Sequence, residues 1–80
     1  MKLDIPCEVG DTVYYLLDDN EVSVGTVKEI TIRANGIVRL VVYFDMLALD
    51  INLATLGTRL FFDEKEANEA LEKWRGNGVL

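Results

Sequence analysis

The sequence predicts a mainly β domain: a small five-stranded barrel followed by one C-terminal α-helix. Three observations carry that expectation. Short β-branched and aromatic runs recur between turn residues from position 11 to 62. Asn35-Gly36 is a strong hairpin signal between two such runs. Residues 63–75 switch to helical periodicity behind a capping residue. With 80 residues the chain is read as one domain. A body of that size buries only about 60% of its unfolded surface, so a deep catalytic cleft is not expected.

Each element has its own justification. Gly10-Asp11 marks a turn, and residues 12–17 (Thr-Val-Tyr-Tyr-Leu-Leu) read as the first strand. Asp18-Asp19-Asn20-Glu21 is a polar turn that lacks the length and spacing of a calcium-binding EF-hand loop. Residues 22–33 form a second extended run, in which Gly25 and the adjacent charges Lys28-Glu29 break the alternation and predict a bend or bulge. Asn35-Gly36 predicts a type I′ hairpin, with φ > 0 at both residues.

Residues 37–44 form the strongest strand, and Arg39 sets its parity. Val38, Leu40, Val42 and Phe44 are expected inside, with Ile37, Arg39, Val41 and Tyr43 outside. Residues 47–51 alternate and predict a fourth strand. Residues 52–56 suggest one tight helical turn, and 58–62 a fifth strand. Asp63 is a natural N-cap, Glu66 completes a capping-box spacing, and Phe62 with Ala67 occupies the positions of a hydrophobic staple. Ala67, Ala70, Leu71 and Trp74 share one helix face, and Gly76 is expected to end the helix.

Composition removes several chemistries. Without histidine, neither Ser-His-Asp nor Cys-His catalysis can be built within one chain. One cysteine and no histidine cannot form a structural zinc site, and the six glycines are scattered as turn residues rather than grouped in a phosphate loop. No cofactor, metal or catalytic residue is therefore expected, and the chain reads as a non-enzyme. Fourteen acids against eight bases give a net charge of −6, spread over both halves, which disfavours phosphate-backbone binding and suits a basic protein partner. No apolar run approaches the ~20 residues of a membrane span. The first six residues lack a secretory h-region, and lone Cys7 fits a reducing compartment, so a cytoplasmic location is expected.

The aromatic doublets supply the candidate binding residues. Neighbours on a strand face opposite sides, so one ring of each pair should leave the interior. Parity with Val13 and Leu17 sends Tyr15 inward and Tyr14 outward. Tyr43 points out beside Arg39. If Phe62 staples the helix, Phe61 points out beside Arg59. The predicted partner face is thus Tyr14, Tyr43, Phe61, Arg39 and Arg59, a composition typical of interface hot spots. The same rings could instead stack on bases or nucleotides.

Gly10-Asp11-Thr12-Val13, Gly25-Thr26-Val27-Lys28-Glu29-Ile30 and Val41-Val42 together resemble the Gly-Asp-x-Val, Gly-x-Val-x-x-Ile and Val pattern of KOW- and Tudor-type SH3-like barrels. Residues 56–71 are similar to the endings of small uncharacterised proteins of Firmicutes and their phages. Here Arg59 and Asp63 stand in place of the usual lysine-threonine arrangement and threonine cap. The resemblance implies an SH3-like barrel in a bacterial, phage or mobile-element setting. The function expected from all of this is a protein-binding module with an aromatic–arginine face and an acidic rim, with self-association open. A narrower form is a phage counter-defence inhibitor of a nucleic-acid-binding enzyme. The alternative is a binder of nucleotides or single-stranded nucleic acid.

Overall fold

A computed structural model describes residues 5–78. Five strands are followed by one helix: β1 (Thr12–Tyr15), β2 (Ser23–Ile32), β3 (Val38–Tyr43), β4 (Ala48–Asn52), β5 (Leu60–Phe61) and α1 (Glu64–Gly78), with a 3₁₀ turn at Leu53–Thr55. The sheet order is β4-β3-β2-β1-β5, every pairing antiparallel. The predicted mainly β class with one C-terminal helix is therefore the observed one. The cylinder does not close, however. The sheet curls into a half-barrel whose two edges are β4 and β5.

Two apolar clusters hold the layers together. Inside the curl, Val13, Val27, Val38, Leu40, Val42, Ile51, Leu60 and Cys7 are buried, with Tyr15, Phe44 and Phe62 packed against them. The parity expected for residues 38–44 is realised: Val38, Leu40 and Val42 are buried and Phe44 joins the core, while Tyr43 is exposed. On the outside of the curl, Leu16, Phe61, Ala67 and Leu71 form a second cluster, bordered by Tyr14, Val22, Ala70 and Trp74. The predicted helix stripe lies here, across β1 and β5.

Gly25 explains the curl. A Cβ at this position would lie 2.6 Å from Val42 Cγ1 and 2.9 Å from the Phe44 ring, so only glycine lets β3 fold this closely over β2. The predicted bulge sits where the β2–β3 register shifts between Val27 and Glu29. Its extra residue, Lys28, is carried onto the outer face, where its Nζ lies 5.8 Å from the Tyr43 ring centroid.

Four local expectations are corrected. The 33–37 hairpin is not type I′, because Asn35 keeps φ < 0 and only Gly36 is left-handed, at φ 86. Gly36 N–H donates to the Arg33 carbonyl and Arg33 N–H to the Ile37 carbonyl, enclosing residues 34–36 as the loop. Glycine at its last position is the arrangement of a turn followed by a bulge. Leu17 lies outside rather than in the core, because β1 ends at Tyr15 and Leu16 turns under the helix.

Phe62 does not staple the helix. It packs into the inner core, and Phe61 is the ring beneath α1. Asp63 does cap the helix, its Oδ2 accepting from Glu66 N–H at 3.1 Å. The helix also runs through Gly76 to Gly78 instead of stopping. A helical glycine costs about 1 kcal/mol relative to alanine. Just before Gly76, the Arg75 guanidinium donates to the carbonyls of Asp19 and Asn20 and ties the last turns to the β1–β2 loop.

Candidate functional site

The outer face of the sheet is divided by the helix. α1 covers β5 and β1 and leaves the outer face of β2, β3 and β4 bare. This division separates the five predicted binding residues into two groups.

The first group surrounds the helix. Phe61 is only 5% exposed, because Ala67 and Leu71 lie over it. It does point away from the inner core, as parity requires, but it is a core residue of the second cluster and has no ring to offer a partner. Tyr14, opposite Phe61 in the β1–β5 pairing, is half-buried against the same cluster. Arg59 is exposed, and its guanidinium carbon stands 4.8 Å from the Trp74 ring centroid, making a cation–π contact that pins the helix. Its own carbonyl accepts from Leu16 N–H at 2.9 Å. These three residues assemble the domain.

The second group stands on bare sheet. Tyr43 is 52% exposed, on a strand whose other face is fixed by Leu40 and Val42 in the core. Its ring is flanked by Lys28 from the bulge. Tyr43 lies opposite Thr26 on β2 and Ala48 on β4, so small neighbours leave the ring standing proud. Four residues back along the same face, Arg39 Nε donates to Asp50 Oδ1 at 2.9 Å, a diagonal pair across β3 and β4. Both side chains are partly open to water, so the pair orients Arg39 more than it stabilises the fold. Val41 lies between Arg39 and Tyr43, opposite Glu29.

Residue order alone does not bring Lys28 to this face, nor set Met46 and Leu47 in an exposed turn after Tyr43. The sequence puts Lys28 at a bulge, and also allows it a place with Arg33 and Arg39 in a small basic strip, but nothing in one sequence indicates that the bulge would carry it over Tyr43. Met46 and Leu47, in the β3–β4 turn, are also exposed, Met46 at 93%. The alternation of residues 47–51 assigned Leu47 to a strand face rather than to a turn.

No catalytic constellation appears at this face. Among the described residues no group of three or more His, Cys, Asp or Glu side chains is placed to hold a metal ion. Cys7 is buried in the inner core, where desolvation pushes its thiol up, and the Asp11 carboxylate nearby adds to the rise. That environment disfavours the thiolate. No described helix is long and apolar enough to cross a membrane. Comparison with protein-family models, curated proteins and solved structures finds no match.

Proposed function

We propose that this chain is a non-enzymatic protein-binding module that engages its partner through the bare outer face of β2, β3 and β4, centred on Tyr43. The observation that carries this reading is the Tyr43 ring, half exposed on a rigid strand with Lys28 on one side and the Arg39–Asp50 pair further along. An aromatic held in place by a packed strand loses little side-chain entropy on binding and buries a large area, which makes it a strong anchor. With Phe61 under the helix, the anchor set reduces to Tyr43 and Arg39, with Lys28 added.

Charge supports a basic partner. The chain carries −6 overall, and Arg39 is already matched by Asp50. An acidic surround accelerates encounter with a positive surface and repels phosphate. The counter-defence form of this reading, with a nucleic-acid-binding enzyme as target, fits the same complementarity, since such an enzyme presents a basic groove. Stacking of a base on Tyr43 would need cations free to meet phosphates.

The test is affinity capture from a lysate of the source organism, with wild type beside a Tyr43→Ala, Arg39→Ala double variant. A protein retained by the wild type and lost by the variant supports the reading. Equal capture by both overturns the face. Oligonucleotide binding that weakens steeply with salt would replace a protein partner by nucleic acid.

A further inference from the structure

The β2–β3 pairing stops short at one end and leaves a notch. β2 begins at Ser23, but its pairing with β3 begins only at Thr26, opposite Tyr43. The cause is the next turn: Phe44 N–H donates to the Leu47 carbonyl at 2.8 Å, so the chain has already left β2. On the other side, Ser23, Val24 and Gly25 remain paired with β1.

Backbone direction identifies the unpaired groups. Val27 N–H donates to the Asp11 carbonyl at 2.9 Å, toward the β1 side. Backbone groups alternate along a strand, so residues 23 and 25 also turn toward β1, and 24 and 26 turn toward β3. Thr26 finds Tyr43 there. Val24 finds no strand among the described residues, and its N–H and C=O face a depression of about 440 Å³ lined by Glu21, Val22, Ser23, Val24, Phe44 and Asp45. Two carboxylates stand on its rim, and the lining holds no cation. Lys28, Arg39 and Arg59 are engaged on Tyr43, Asp50 and Trp74, and Arg75 is spent on the carbonyls of Asp19 and Asn20, just before Glu21.

We propose that this notch receives a short extended basic segment of the protein partner. The segment adds one backbone pair to Val24, as a strand joining a sheet edge does. An arginine or lysine beside that pair places its stem over Val22 and Phe44 and its head between Glu21 and Asp45. The proposal rests on the protein-binding reading and specifies the partner's chemistry. The notch is continuous with the Tyr43 face: Val24 is exposed on that face, one diagonal step from Tyr43 across β2 and β3.

The test is an NMR titration of the ¹⁵N-labelled chain with a capped Thr-Arg-Val-Arg-Thr peptide, with Thr-Glu-Val-Glu-Thr as counter-probe. The arginine peptide should give saturable shifts at Glu21, Val24 and Asp45 and slow the exchange of the Val24 amide. A Glu21→Gln, Asp45→Asn variant should bind roughly 3- to 30-fold more weakly, the range expected for two exposed ion pairs. A charge-matched Glu64→Gln, Glu69→Gln variant on the helix should bind within about twofold of wild type, because neither residue lines the notch and exposed charges outside it are screened by salt. Equal weakening by the two variants, equal binding of the glutamate peptide, or no saturable shift overturns the notch. Shifts confined to Val41 and Tyr43 also overturn it but leave the Tyr43 face standing, and that face is judged separately by the capture experiment.

Discussion

The guanidinium of Arg59 stacks on the indole of Trp74, 4.8 Å from the ring centroid, and so joins the β5 side of the sheet to the helix that covers it. Such a contact at a partly exposed site is worth about 0.5–1 kcal/mol. Arg59→Ala and Trp74→Ala should each lower the urea midpoint. The double variant should be less destabilised than the sum of the two, by about that coupling energy. Additive losses in a denaturation cycle would show that the stack contributes nothing.

Phe61 and Tyr43 were expected on one binding face, and the structure gives them opposite roles. Phe61→Ala empties the cluster under the helix and should cost about 3–5 kcal/mol, a large share of the stability of so small a domain. Tyr43→Ala removes an exposed ring and should change stability by no more than about 0.5 kcal/mol. Equilibrium unfolding of the two variants side by side tests the assignment. A large loss from Tyr43→Ala would mean that its ring is structural.

Gly25→Ala should destabilise by about 1–3 kcal/mol, since the new methyl meets the Val42 methyl and the Phe44 ring. A smaller residue in front of it should return part of the loss, so Gly25→Ala combined with Phe44→Leu is expected to be less than additive. Thermal melts of the four proteins read this directly. Strict additivity would detach Gly25 from the curl of the sheet.

Cys7 should resist alkylation in the folded chain and label fully in denaturant, because it is buried and its thiol titrates above the ordinary range. The pH dependence follows from the same shift. A thiol whose folded pKa is raised stabilises the fold fully at pH values below the unfolded pKa of about 8.5. That contribution is lost as pH rises through the folded value, since the unfolded chain releases its proton first. Wild type should therefore lose stability relative to Cys7→Ala in the alkaline window that opens above about pH 8.5. Parallel urea midpoints across that window would contradict the shift.

The strands, the bulge, the 3₁₀ turn and the helix stripe were all readable from residue order, because each is set by local periodicity or a turn residue. Tyr43 and Arg39 followed from parity alone and stand where parity places them. What could not be read was which part of the outer sheet the helix would occupy. Periodicity shows that residues 67–74 need an apolar bed, but Phe61 and Phe62 are chemically alike, and only the fold decides which ring supplies it. The hairpin turn escaped for a related reason. Asn35-Gly36 fits two loop geometries, and the pairing of Arg33 with Ile37 selects the longer one. Sheet closure escaped too, since β5 has only the Leu60–Phe61 pair and reaches no further than β1.

The cluster of Leu16 and Phe61 is completed by Ala67 and Leu71, and this makes the helix a condition of the domain's survival in a cell. A protease that nicks the short connection after Phe62 would strip the cover from an oily strip along β1 and β5. The remaining half-barrel would then display the kind of surface that chaperones and degradation machinery recognise, so loss of the helix should be read out as rapid clearance of the whole domain.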